Sequence, residues 1–473
     1  MNFNKENQSV LVLLYNEPQL SDPLEYDDFI SHVAFTSVNG NLVSQYKLGE
    51  HTPELAQSWT VNPNYTEWTF SLRPEITFSD GSPITGQIVL SNWLRMAKIM
   101  KSKKSESGFF EYLLGYESLT SQSKSIAGLT ATNSSITIKL TKSLPSLLDK
   151  ISFGLYSIVH PSHYNEDGLW IAKKDNLKTS GPYTVTNWDN DKLTLSLRQD
   201  YPKNLIHPKP IQKVKMVWSK KIYPNKMIDL VLGSDLIDPP DKKFKLQAAP
   251  PSSIYFVRVL SWKNPKSPFS NRSFRIAYRN HFYEQLEKLS INPIRSFFPL
   301  IIKNINELQD FVPTSNNFTD THVKLPIYPP RSKVGNGIGE ALTNVAKIND
   351  WPITEIEFSS HQLFQDITSN SNEKTWDLSS DSTGILASAP LDDVKFMFKS
   401  KEGILLPDET GEILAELEKD NPDLQKINQL LWEQGLIWPV THYSSGLWAN
   451  PDLDFSEINL VLPPTSFQWI GWK

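Results

Sequence analysis

The stretch "TFSLRPEITFSDGSP", residues 69–83, decides how the rest of the chain is read. Phe70 and Leu72 alternate with Ser71 and Arg73, the period of a half-buried strand. Pro74 interrupts it, because proline fixes φ and brings no N–H to a ladder. Ile76 and Phe78 resume the alternation, and Asp80-Gly81 makes a tight turn in which glycine supplies a positive φ. No nucleophile stands beside a base here, so the stretch reads as scaffold.

The flanks extend it in both directions. "HTPELAQSWTV" (51–61) leads into a strand pair through Trp59 and Trp68. Thr85 can cap a helix on which Ile88, Val89, Trp93, Leu94 and Ala97 recur at helical spacing. A second helix is expected over "GFFEYLLGYESL" (108–119). Upstream, "VLVLLY" (10–15) reads as a buried first strand, followed by a polar loop with Asp22-Pro23 and the acidic cluster Glu25, Asp27 and Asp28. Downstream, "SGPYTVTNWDNDKLTLSLRQDYPK" (180–203) is a hairpin turning at Asn190-Asp191. "IQKVKMVWS" is another strand, and "NKMIDLVLGSDLID" (225–238) is expected to form a short helix ending near Gly233.

Two proline pairs between residues 239 and 252 mark a boundary or crossover. Beyond it, strands ("SIYFVRVLSW", "VKLPIYPP", "ITEIEFSS", "TWDLSSDSTG") alternate with helices ("NRSFRIAYRNHFYEQLEKL", "GNGIGEALTNVAKIN", "HQLFQDITS"). The chain then runs through the helix "NPDLQKINQLLWEQ" and the strand "LIWPVTHYSSGLWA". This alternation predicts a mixed α/β sheet.

Bulk composition sets the bounds. With 473 residues the chain exceeds one ordinary core, and 39% hydrophobic with 21% charged residues describes a globular protein. A net charge of −5 with no dominant basic block argues against a polyanion partner, so no nucleic acid is expected. Cys is 0, which excludes disulfides, thiolate metal sites and cysteine catalysis. No run approaches the ~20 apolar residues of a membrane span. The supply of 14 Trp, 16 Tyr and 23 Phe suits a core and also a ligand cleft or sugar platform.

Catalytic signatures are missing. There is no phosphate loop, no Gly-x-Ser-x-Gly elbow and no His-Glu-x-x-His. "GNGIGE" (335–340) reads as a plain helix start. In "HPSH" (160–163) the internal proline spoils a shared helical face for metal ligation. The paired carboxylates of "EYDD" and "LDD" could serve a glycosidase only at about 5–9 Å separation. No catalytic residue, cofactor or metal is expected.

The run "PELAQSW…EWTFSLRPEITFSDGSPITGQIVLSNWLRM" resembles the N-terminal signature of the bacterial family 5 extracellular solute-binding proteins. These include the oligopeptide-, dipeptide- and nickel-binding components of ABC transporters. The matching positions are Pro53, Leu55, Ala56, Ser58, Trp59, Phe70, Leu72, Arg73, Phe78, Asp80, Gly81 and Pro83. "LSDP" (20–23), the Gly-Pro-Tyr hairpin, "SPFSNRSFRIAY" and "WPVTHYSSGLWA" are similar to further landmarks of that family.

The resemblance implies an α/β, two-lobe periplasmic-binding-protein-like fold of type II, with an extra sub-domain on lobe one. Lobe one is expected over 1–245 with the sub-domain at about 45–165, lobe two over 246–445, and a return to lobe one over 446–473. It implies a non-enzymatic substrate-binding protein of an ABC importer. A peptide-like or other small organic solute would be engulfed in the interlobe cleft by hinge closure. The expected partners are that solute and an ABC permease, with the membrane reached only through the permease or a removed anchor, and the protein is expected to be monomeric. The expected location is periplasmic or extracytoplasmic with a signal trimmed, or cytoplasmic if Met1 is the natural start. The alternatives are a cytoplasmic ligand-sensing domain of the same fold and a carbohydrate-active hydrolase.

Ligand contacts are expected at Glu25, Tyr26 and Asp27 in the acidic loop. Phe109, Phe110 and Tyr112 are expected in an aromatic lid, and Tyr255 and Arg258 on the first strand after the crossover. Further candidates are Thr383 and Leu386 in "WDLSSDSTGILASAP", and His442 and Tyr443 on the return strand. Peptide-binding members carry an acidic residue where alignment puts Leu386, and that carboxylate grips the peptide's free amino group. A buried ammonium left unpaired costs about 3–5 kcal/mol, so free-amine peptides are not expected to bind in the usual way.

Overall fold

A computed structural model describes residues 8–14, 16–25, 29–47, 50–103, 108–218, 228–232, 241–248, 253–298, 308, 321–328, 333–359, 362–363, 366, 371–384, 411–417, 419, 422–443, 446–458 and 466–473. The chain divides into two compact units. One comprises Met1–Ala249 with Gly446–Lys473, the other Pro250–Ser445.

The first unit is organised around a seven-stranded sheet. Its order is Lys245–Ala248, Gly446–Ala449, Leu230–Leu232, Ser9–Leu13, Lys213–Val217, Lys192–Leu197, Tyr183–Trp188. The strand Ser9–Leu13 pairs in parallel with both Lys213–Val217 and Leu230–Leu232. All five of its residues are buried, as a continuous apolar strand covered on both faces requires. Val10 and Val12 enter one apolar cluster with Val214 and Met216, whereas Leu11 and Leu13 enter another with Val217 and Val231.

The helix expected over 225–238 is corrected: among its described residues the chain forms the strand Leu230–Leu232. Three consecutive apolar side chains buried on both faces of a sheet carry no period that separates strand from helix.

The opening stretch belongs to a second sheet of this unit, ordered Ala56–Val61, Glu67–Leu72, Ser135–Lys139, Leu129–Ala131. Trp68, Phe70 and Leu72 are buried while Glu67, Thr69 and Ser71 are not. They pack with Val89, Trp93, Met96, Ala97 and Met100 of the helix Gly86–Lys103 in one core. The turn forms as the residues dictate. Gly81 takes φ +84°, and Asp80 Oδ1 accepts from Ser82 N (3.1 Å) and Ser82 Oγ (2.6 Å). Arg73 Nε donates to the Glu54 carbonyl at 2.6 Å. Gly86 is required for closeness, because a Cβ there would stand 2.0 Å from the Ser135 carbonyl oxygen.

Beneath this sheet Glu54 is buried. Its carboxylate accepts from Asn41 N at 3.3 Å and from Ser44 Oγ. Burial pushes the carboxyl up to about 7, against those hydrogen bonds and the nearby Arg73. The second expected helix, over 108–119, is also corrected. The chain makes two 3₁₀ turns, Phe110–Tyr112 and Tyr116–Ser118, broken at Gly115 with φ +86°.

The second unit has a three-stranded antiparallel sheet, Leu378–Gly384, Ser253–Val259, Ile437–Tyr443, and a parallel pair, Val323–Ile327 with Ile353–Glu357. Its helices include Arg272–Lys288, Lys333–Ile348 and Leu424–Gln434. Asn271 caps the first, its Oδ1 accepting from Ser273 N and Phe274 N. The core is aromatic: Trp438, Tyr278, Phe269 and Phe282 are each 0% exposed. Tyr278 OH donates to the Leu342 carbonyl and Tyr283 OH to that of Pro439, so both phenols are satisfied where they are buried. The closing strand expected from "LIWPVTHYSSGLWA" is two strands. Ile437–Tyr443 completes the second unit's sheet, and Gly446–Ala449 enters the first unit's. Among the described residues no helix is long and apolar enough to cross a membrane.

Candidate ligand-binding surfaces

In the second unit the candidates gather at one end of the three-stranded sheet. The central strand Ser253–Val259 begins there, and both neighbours end there. Residues directly opposed across antiparallel strands share a face. One face therefore carries Ser253, Tyr255, Thr441 and Tyr443, and the other carries Ile254 flanked by His442 and by the register position of Thr383. The register shifts between Tyr255 and Phe256, an irregularity of the kind that re-aims side chains.

Tyr255 and Tyr443 meet, with ring centroids 4.5 Å apart and an interplanar angle of 31°. Both are half-buried, so they present aromatic surface without being consumed by the core. His442 is also half-buried. Desolvation pushes its imidazole down to about 4, against a hydrogen bond with the Ser296 backbone. It is thus neutral near pH 7. Arg258 lies further along, between Ser379 and Ile437, and is 8% exposed, its guanidinium 5.7 Å from the Phe256 ring centroid. The structure brings Tyr255 and Tyr443 together and separates them, by face, from His442 and Arg258. Leu386 lies outside the described residues.

In the first unit, the carboxyl ends of Ser9–Leu13, Lys213–Val217 and Tyr183–Trp188 lie on one edge. In open α/β sheets that edge is where ligands bind. Glu17, in the loop leaving the first strand, accepts at Oε1 from Trp188 Nε1 (3.0 Å) and Lys174 Nζ (2.7 Å), and the Lys174 ammonium sits 4.3 Å from the Trp188 ring centroid. The arrangement offers an indole face, a cation and a carboxylate within one reach. Sequence reasoning missed it, because nothing in the spacing links residues 17, 174 and 188.

The same loop is anchored by Asp22, whose carboxylate pairs with the Arg95 guanidinium where both are buried. Arg95 Nε donates to the Gly168 carbonyl at 2.7 Å and its guanidinium stacks on Tyr164. Asp22 Oδ1 also accepts from Leu24 N, and Glu25 N donates to the Asp22 carbonyl. Glu25 is consequently held at the surface, exposed. Tyr26 and Asp27 lie outside the described residues.

Two of the aromatic-lid candidates are corrected. Phe109 and Phe110 are 0% exposed, packed on each other and on Tyr156, with Phe109 also against Trp93. They offer a ligand no surface because the core uses both rings. Tyr112 is half-buried, with the Lys142 ammonium 3.8 Å from its ring centroid. Among the described residues no three His, Cys, Asp or Glu side chains group as metal ligands, and His160 instead caps the turn Pro161–His163 by accepting from Ser162 N.

Comparison with known proteins places this geometry. Residues 50–278 match the model of the bacterial extracellular solute-binding proteins, family 5 Middle. The dipeptide-binding protein DppE of Bacillus subtilis is 27% identical over 184 residues, 37% of this chain and 33% of that protein. The periplasmic murein peptide-binding protein MppA of Escherichia coli is 25% identical over 211 residues, 40% of this chain and 38% of that protein. The chain thus spans little more than a third of the length of these curated relatives. In structure, the E. coli murein tripeptide binding protein MppA superposes with a TM-score of 0.75 at 17% identity, covering 98% of each chain. The fold is therefore that of the type II periplasmic binding proteins, matched over 98% of this chain. The chain thus carries, over residues 50–278, the sequence signal of the bacterial extracellular solute-binding proteins, family 5 Middle, within a fold shared with periplasmic peptide-binding proteins.

Proposed function

We propose that this chain is the substrate-binding component of an ABC importer, capturing a peptide-like or other small organic solute by hinge closure and passing it to the permease. The observation that carries the reading is the fold match over 98% of the chain to a murein tripeptide binding protein, joined to the family 5 match at residues 50–278. Ligand that binds one conformational state better than the other shifts the equilibrium toward it by that difference, and no bond need be broken. The protein is accordingly read as non-enzymatic, extracytoplasmic and monomeric. Tyr255 and Tyr443 would supply aromatic contact, and Glu17, Lys174 and Trp188 polar and indole contact. Tyr112, Glu25, Tyr26, Asp27, Thr383, Leu386, His442 and Arg258 remain secondary candidates.

Leu386, aligned where peptide-binding members hold an acidic residue, narrows the solute class to molecules that do not depend on a carboxylate grip on a free ammonium. Native mass spectrometry of the purified protein tests the reading directly. A co-purifying small organic molecule, released on denaturation and raising the melting temperature when added back, is the expected result. Paired N-acetylated and free-amine tripeptides then test the narrowing. Sub-micromolar binding confined to the free-amine form would refute it and leave the importer reading intact. Turnover of a glycan pool would refute the importer reading itself.

A further inference from the structure

Away from those surfaces, the first unit contains a small cavity walled by Phe35, Val38 and Leu177, with the Trp170 ring edge-on to His163 at 5.1 Å. Three of the residues that line it each carry a buried polar atom with no hydrogen-bond partner among the described residues: Asn39 Oδ1, His163 Nδ1 and Thr179 Oγ1. Their residues are 6%, 2% and 1% exposed, so bulk water does not satisfy them. A buried polar atom left unmatched is costly, and three on residues lining one space point to something that matches them.

The roles of the three atoms follow from their other bonds. His163 Nε2 accepts from Lys178 N at 3.0 Å, so the ring proton sits on Nδ1 and that atom donates. This excludes a metal ion, which would need the lone pair there. Asn39 Nδ2 donates to the Phe35 carbonyl, which leaves Oδ1 as the acceptor aimed elsewhere. Thr179 Oγ1 can do either. One donor, one acceptor and one rotor are the complement of a single water molecule, and the cavity has room for about one.

We propose that this cavity is a structural water site, the water donating to Asn39, accepting from His163 and closing its third bond on Thr179. It adds one shared link among three segments already tied in pairs by Lys178 N to His163 Nε2 and by Gly181 N to the Val38 carbonyl: the end of the helix Phe29–Val38, the turn Pro161–His163, and the segment entering the Tyr183–Trp188 hairpin. Thr179 is itself tied to the Asp80-Gly81 turn, its N donating to Ser79 Oγ and its carbonyl accepting from Ser79 N. The water therefore extends the bracing of the opening stretch into the core of the main sheet. It also holds His163 in one tautomer, in keeping with an imidazole that burial pushes down to about 4.

The test is a high-resolution crystal structure of the full chain together with the melting temperature of Thr179→Val, which keeps the shape and removes the hydroxyl. A density peak within roughly 2.7–3.2 Å of all three atoms, with a fall in melting temperature of about 2–4 °C, is expected. An ¹⁵N spectrum with His163 protonated at Nδ1 is the matching solution readout. A site without such a peak, an ion or buffer molecule in its place, or a Thr179→Val protein melting at or above the wild type overturns the proposal. In a dry cavity, deleting an unmatched hydroxyl removes a penalty.

Discussion

Two sheets of this molecule treat their aromatic residues in opposite ways. In the four-stranded sheet around Glu67–Leu72, Trp68 and Phe70 are 2% and 0% exposed and alternate strictly with polar residues. In the three-stranded sheet of the second unit, Tyr255 and Tyr443 stop half-way into the surface, beside a register shift. The strand Glu67–Leu72 has committed both of its aromatic rings to the core. The second sheet keeps ring faces in reserve, at the end where the chain enters and leaves the unit. On the proposed reading, rigidity and recognition would fall to different sheets, and aromatic residue type alone does not tell them apart.

Substitutions should separate the two roles, and the largest effect is expected on the bracing side. Trp93→Ala empties a 0%-exposed site and should cost about 3–5 kcal/mol in denaturant unfolding, with unchanged solute affinity in the folded fraction; weakened affinity would break the division of labour. Asp22→Ala leaves the buried Arg95 guanidinium uncompensated and should cost roughly 3 kcal/mol, read the same way.

Glu54 gives a pH signature confined to the bracing side. Its folded-state value of about 7 lies above the ordinary 4.5. The stability it contributes is therefore fully present below pH ~4.5 and is lost as pH rises through about 7. Glu54→Gln should remove that loss, so the wild type should fall by roughly 3 kcal/mol relative to the variant across the window. A difference between the two that does not vary with pH would show that the carboxyl titrates normally. The smallest effect belongs to recognition. Tyr443→Ala should weaken solute binding about tenfold, the scale of a lost aromatic contact, while moving the unliganded melting temperature little. A reversal, stability lost and affinity kept, would make the tyrosine pair another brace.

How much of this was legible beforehand depends on the range of the interaction. The fold class and the strand at Glu67–Leu72 were readable because period-two alternation and an Asp-Gly turn are local signals. The run at 230–232 was misread because burial on both faces erases the period. The helix expected over 108–119 was misread because Gly115 breaks it, and two of the three lid candidates, Phe109 and Phe110, are taken by the core. The group of Glu17, Lys174 and Trp188 was invisible, since its members meet only after strands far apart in sequence come to one edge. The orphaned atoms of Asn39, His163 and Thr179 escaped for the same reason.

The strand Gly446–Ala449 lies between Leu230–Leu232 and Lys245–Ala248, which have no direct pairing to each other. A nascent chain emerging from the ribosome reaches both of these strands some two hundred residues before the one that joins them. Throughout that interval the half-built sheet presents open edges, the situation in which aggregation competes with folding. The second unit, contiguous in sequence, can finish first. The order of synthesis thus makes the chain's last stretch the step that completes its first unit.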